Sequence, residues 1–248
     1  MTIVWDPGWM AGVALAGLDY GLAVRLARRR GLASSPWRAV SFAAGLVLIA
    51  LALFSPLEHY ALTRMLSLHL LQNVMLADWA PPLLVLGLAP WMAEAFERRR
   101  AFRIAVHPAV ALPYWLAAWY VLHLPPVYDY ALRHGWALGG EHLVFLTAGV
   151  LFWWPVLRPG LLRPPARVAY LFAAFVLASP VALLIALASR PIYDFYASAP
   201  KLWGWSALTD QEAGGITMAV EQSVLLFAAL GYAFNRLLSE DGDTALEA

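Results

Sequence analysis

Long apolar runs, broken by short stretches where arginine, proline and glycine gather, set the pattern of this chain. A transmembrane helix needs roughly 20 mainly apolar residues at a rise of about 1.5 Å each. Seven runs meet that length: Trp9 to Leu26, Trp37 to Phe54, Met65 to Leu88, Val106 to Leu124, Ala137 to Leu157, Val168 to Ser189 and Gly215 to Leu237. They are too long and too uniformly apolar for the short alternating strands of a membrane barrel. The expected fold is an all-α bundle of seven transmembrane helices in a single domain, followed by an acidic tail over 238–248. No internal repeat, low-complexity linker or soluble domain interrupts it. The longest connection, Arg190 to Gly214, is rich in aromatics and is expected to form an interfacial lid.

Composition strengthens that class. Of the 248 residues, 62% are apolar and 13% charged, against about a quarter charged in a soluble domain. The distribution of charge matters more than its net value of +1. Thirteen of the seventeen basic residues fall on one side of the expected bundle, in the groups Arg25 to Arg38, Arg98 to Arg103, Arg158 to Arg167, and Arg236. Arg64, Arg133, Arg190 and Lys201 fall on the other. Basic residues in short loops are retained in the cytoplasm, so the N-terminus is expected outside and the acidic tail inside a bacterial cytoplasmic membrane. Met1 to Met10 has no basic region typical of a cleavable leader, and the first helix is expected to direct insertion. A charge divided in this way gives no support to nucleic-acid binding. Zero cysteines exclude disulfides, thiolate ligands and thiol redox chemistry.

Polar side chains within the apolar runs carry the candidate chemistry, because ionisable groups inside a membrane are costly and mark functional sites. Met65, His69 and Asn73 are spaced i, i+4, i+8 in the third helix and share one face. Pro81 and Pro82 then remove two backbone donors and are expected to disturb the turn at Ala77 and Asp78. His123 closes the fourth helix, and Glu141 with His142 opens the fifth, so three histidines occupy one outer layer. Imidazole suits copper and zinc, and thioether sulfur selects the cuprous ion; a His and Met site without Cys leans toward copper. His59, His107 and His134 fall in loops or at helix ends and read as surface residues. Asp19, Asp78 and Glu221 lie at apparent membrane depth with no lysine or arginine at a comparable level. Such acids are protonated, hydrogen-bonded, or exposed to a water-filled cavity.

Several segments together resemble the CtaG family of cytochrome c oxidase assembly factors: SFAAGLVLIALALFSPLEHYA, WAPPLLVLGLAPW, HLPPVYDYAL, EHLVFLTAGVLFWWPVL, RPIYDFYA and TDQEAGGITM. The likeness extends from about Trp9 to Leu237 and implies a seven-helix membrane protein that supplies copper to, or matures, haem-copper oxidases. Matched positions are His69, His123, His142, Asp210, Gln211 and Met218. The family's third helix usually carries a second histidine one turn after the first, whereas this chain has HLLQN with Asn73 there. An amide is a poor copper ligand beside imidazole. The last helix departs too, with MAVEQS placing Glu221 and Gln222 inside the span.

The resulting expectation is a non-enzymatic assembly factor that presents or relays copper, as Cu(I), at the outer face. His69, His123 and His142 are the expected ligands with Met65 and Met218 as soft auxiliaries, and Asn73, Glu141, Asp210 and Gln211 orient the imidazoles. Expected partners are an oxidase subunit, a soluble copper donor and membrane lipid. A metal-free scaffold accounts for Asn73, a transporter of protons or copper accounts for the three acids, and paired histidines also suit haem.

Overall fold

Prolines punctuate the helices. Pro7, Pro36, Pro56, Pro90, Pro108, Pro125 and Pro164 each open one, at the position where the missing N–H costs no hydrogen bond and the fixed φ favours the first turn. The computed structural model describes residues 6–32 and 34–246, with side chains described as far as residue 238. Residues 1–5, within the segment expected to carry no cleavable leader, and the last two residues of the acidic tail lie outside the described residues.

The order is α1 (Pro7–Arg29), α2 (Pro36–Phe54), α3 (Pro56–Thr63), α4 (Leu66–Val74), a π turn (Met75–Trp79), α5 (Ala80–Gly87), α6 (Pro90–Glu97), α7 (Arg100–Ala105), α8 (Pro108–Leu122), α9 (Pro125–Arg133), α10 (Gly135–Leu157), α11 (Pro164–Leu187), α12 (Asp194–Ser198) and α13 (Ala207–Leu246). No strand occurs among the described residues. Among the described residues, six helical stretches are long and apolar enough to cross a membrane. The fourth expected span is the shorter α8, 15 residues and so about 22 Å long, against a hydrocarbon thickness of about 30 Å. Proline trims it at both ends: His107 caps it ahead of Pro108, and Pro125 starts a new helix. The last helix begins at Ala207 rather than Gly215 and stays helical to Leu246, which draws Asp210 and Gln211 out of the expected lid and into the helix.

The third span is one rod with a π turn in it. Pro81 and Pro82 cannot donate to the carbonyls of Ala77 and Asp78. The ladder widens, so that Ala80 N–H reaches back to the Met75 carbonyl. α10 seals the defect at Gly149, where any Cβ would overlap the freed Ala77 carbonyl oxygen. A glycine is required there by close approach.

Around this broken rod the bundle closes. α4 packs on α13, α5 on α2 and α10, and α11 on α13 and α8. Leu70, Val74, Leu76, Phe145, Phe152 and Leu171 are fully enclosed at the centre. α1 packs mainly on α2 and turns Leu15, Leu18 and Leu22 outward. It ends in a Schellman closure, with Gly31 at φ 74° and Leu32 N–H donating to the Ala27 carbonyl.

Candidate functional site

α4 hangs from a carboxylate supplied by another helix. Met65, at its N-terminal flank, makes no side-chain cap. Asp210, from the first turn of α13, instead accepts from Leu66 N (2.8 Å), Ser67 N (3.0 Å) and Ser67 Oγ (2.7 Å). It also pairs with Lys201 Nζ at 3.0 Å, both side chains being nearly inaccessible. A carboxylate at a helix N-terminus satisfies orphan donors and complements the helix dipole. Lys201 in turn donates to the Arg64 carbonyl and lies over the Tyr196 ring. The register of α4, and with it His69, is therefore fixed from the α12–α13 side.

His69 is wholly buried. Its Nδ1 lies 3.0 Å from Tyr196 Oη, and that hydroxyl donates its one proton to the Ala61 carbonyl at 2.6 Å. His69 Nδ1 must then be the donor in the first contact, which in the neutral ring leaves a lone pair on Nε2. That nitrogen lies 3.5 Å from Glu141 Oε1 and makes no hydrogen bond. Glu141 Oε1 accepts from Asn73 Nδ2 at 3.2 Å, while Glu141 Oε2 and Asn73 Oδ1 are unpaired. The His142 ring stands edge-on to His69, centroids 6.2 Å apart, with its Nε2 also unpaired. His69, Asn73, Glu141 and His142 thus form one buried polar cluster.

His123 is held in the same tautomer. Its Nδ1 donates to the Trp119 carbonyl at 2.8 Å, leaving Nε2 unpaired. Tyr128 packs beside both histidines, with ring centroids 5.0 Å from His69 and 5.8 Å from His123. Among the remaining expected site residues, Met65 Sδ accepts from Leu202 N–H. Met218 lines a small cavity with Asp78, Trp119 and Glu221. Asp210 caps α4, and Gln211 ties Ile192 N–H to the Ile185 and Arg190 carbonyls. Both hold backbone, and neither hydrogen-bonds an imidazole. Asp19 is exposed on α1, separate from the other two acids. Among the described residues, no three His, Asp or Glu side chains converge as they do around a bound metal ion.

An approach to the cluster exists. A pocket of about 260 Å³ is lined by Asp6, Trp9 and Glu58, and His142 closes its floor. Trp9 stands edge-on to the His142 ring at 6.4 Å. Glu58, on the short helix α3, accepts from Gln72 Nε2. Burial pushes its carboxyl up to about 7, the Gln72 hydrogen bond opposing and Asp6 adding to the rise. Asp6 and Glu58 make the pocket acidic, and His142 brings an imidazole to it.

Tyr196, Tyr128, Gln72 and Lys201 were not singled out by sequence reasoning. The two tyrosines lie inside the motifs RPIYDFYA and HLPPVYDYAL, so their presence was visible but not their partners.

An all-helical membrane protein with a buried histidine and carboxylate cluster under one end of the bundle is the class that fold and site define. Over residues 18–240 the chain matches the cytochrome c oxidase caa3 assembly factor family, to which it belongs. It is similar to an uncharacterized protein of Mycobacterium bovis, 26% identical over 230 residues, covering 83% of this chain and 34% of that protein. An uncharacterized protein of Mycobacterium leprae is 25% identical, covering 83% of this chain and 35% of its own length. The chain spans about a third of the length of these relatives. No solved structure matches it.

Proposed function

We propose that this protein assists assembly of a cytochrome c oxidase in a bacterial cytoplasmic membrane by presenting Cu(I) from the His69–His142 cluster to an oxidase subunit at the outer face. One observation carries this reading. Two buried imidazoles present unpaired Nε2 atoms beside an unpaired carboxylate oxygen, under an acidic pocket. Unsatisfied buried polar atoms are expensive and call for a partner. A ligating histidine characteristically donates its other ring nitrogen to a fixed acceptor, and the Tyr196 hydroxyl serves as that acceptor for His69.

Ring centroids 6.2 Å apart leave room for an ion bonded to two imidazole nitrogens at about 2.0 Å each. A site of two neutral nitrogens with few further donors suits a soft, low-coordinate cation better than a hard one. Asn73 is a reason for weak rather than tight holding, which a protein that gives up its copper requires. Glu141, hydrogen-bonded to Asn73, sets the orientation of the pair. Asp6 and Glu58 raise the local concentration of cations, delivered by a soluble copper donor, ahead of the His142 floor. Only coordination bonds to copper are exchanged in this cycle and no substrate is converted, so the role is transfer rather than catalysis.

The test is complementation. In a strain lacking the protein, wild type and His134→Ala restore copper content and activity of the oxidase, whereas His69→Ala and His142→Ala, at equal membrane levels, do not. Full restoration by both cluster variants would overturn the copper role and leave a metal-free scaffold.

A further inference from the structure

A second polar centre lies deeper in the bundle. Asp78 is in the π turn, twelve residues beyond Leu66, and Glu221 is fourteen residues beyond Ala207. At about 1.5 Å per residue these are about 18 and 21 Å from the helix starts, near the middle of a hydrocarbon layer about 30 Å thick. Both carboxyls line one cavity of about 10 Å³ together with Gln222, room for about one water. The rest of its wall is the Trp119 ring, Met218 and small or apolar residues of α11. α8 and α11 thus bring no titratable or charged side chain to it.

Asp78 is 4% exposed and its Oδ2 is unpaired. Glu221 is 9% exposed; its Oε1 accepts from Trp79 Nε1 at 2.6 Å and its Oε2 is unpaired. Two ionised carboxylates lining one small cavity with no cationic side chain in its wall repel strongly, because no counter-charge offsets them. One shared proton removes the conflict, and the unpaired oxygens supply its acceptor. The pair also has an outer door. A groove of about 660 Å³ on the lipid-facing side of α13 is lined by Trp79, Glu221 and the exposed residues Ile216, Val220 and Val224. Glu221 therefore separates the inner cavity from the lipid-facing groove. A π turn at this point accords with the usual placement of such bulges at functional sites.

We propose that Asp78 and Glu221 form a proton-binding site at mid-membrane depth, with Glu221 the carboxyl that meets the lipid-facing groove in its neutral form. The site is separate from the histidine cluster and stands or falls independently of copper.

A lipid-soluble carbodiimide, dicyclohexylcarbodiimide, tests it on the full-length protein in liposomes. The reagent takes only a protonated carboxyl: the proton passes to a carbodiimide nitrogen, the carboxyl oxygen bonds to the central carbon, and an acyl shift to nitrogen gives a stable N-acylurea holding all atoms of both reactants. Peptide mass mapping is expected to find the adduct on Glu221 at neutral pH, declining as pH rises, and a water-soluble carbodiimide is expected to leave Glu221 unlabelled. Asp78→Asn removes the like-charged neighbour, and the Glu221 labelling profile moves to lower pH by about one unit or more. Asp19, exposed on α1, is the internal reference whose labelling that change leaves unmoved. Absence of an adduct on Glu221 in folded wild-type protein, or an Asp78→Asn profile that coincides with wild type, would overturn the proposal.

Discussion

Asp210→Ala is expected to be among the most damaging single changes outside the apolar core. It removes the acceptor for Leu66 N, Ser67 N and Ser67 Oγ and strands the Lys201 ammonium, whose side chain is 6% exposed. Loss of a helix cap costs about 0.5–2 kcal/mol, and breaking a buried ion pair from one side costs about 3–5 kcal/mol. The two losses share one carboxylate and do not add, so about 3–5 kcal/mol is expected. Lys201→Met leaves the Asp210 charge with its three donors and the positive end of α4, and is expected to cost about 1–2 kcal/mol. The double variant should recover part of the Asp210→Ala loss, because no buried ammonium is then left alone. Reversible unfolding in mixed micelles of rising dodecyl sulfate content, followed by circular dichroism, measures all three. An Asp210→Ala cost below about 1 kcal/mol, or a larger cost for Lys201→Met, would refute the view that this carboxylate holds α4 in register.

Other outcomes follow from the same geometry. Glu58 has a folded-state value raised to about 7 from 4.5, so its contribution to stability is complete below the unfolded value and lost as pH rises through about 7; the wild-type melting midpoint should fall between pH 5 and 8, and Glu58→Gln should flatten that fall. Gly135→Cys, exposed at the histidine end, should react with an impermeant thiol reagent in intact cells and Ala101→Cys, exposed at the arginine end, should not; the reverse pattern would invert the orientation and remove the outward-facing site. Asn73→His places an imidazole one turn from His69, beside Glu141, and should tighten Cu(I) binding at least about tenfold, about 1.4 kcal/mol, as read by chelator competition.

Helices were legible from the apolar runs because membrane spans must satisfy their own backbone, and Pro81–Pro82 announced the break at Ala77 and Asp78. The short α8 was less so, since apolar residues run on past the point where proline ends the helix. The polar cluster was half legible. His69, Asn73, Glu141 and His142 follow from helical spacing and a common depth, and the structure does bring them together. His123 stacks on Trp119 and meets Tyr128, ring contacts that helical spacing does not foretell. Asp210 and Gln211 serve backbone groups of other segments, and partners 144 and 19 residues away leave no mark in local spacing. The Asp78–Glu221 pair was visible as isolated acids, but only the packing of α13 beside the π turn makes it a pair.

Copper itself is the most direct test of the central claim. Purified protein titrated with Cu(I) against a chromogenic chelator is expected to hold one ion per chain. His69→Ala and His142→Ala should each weaken it more than about tenfold, a loss of about 1.4 kcal/mol or more. His123→Ala, outside the His69–His142 pair, and His134→Ala, exposed on the surface, should change it little. Binding that is not stoichiometric in wild type, or that falls equally in all four variants, would contradict the account.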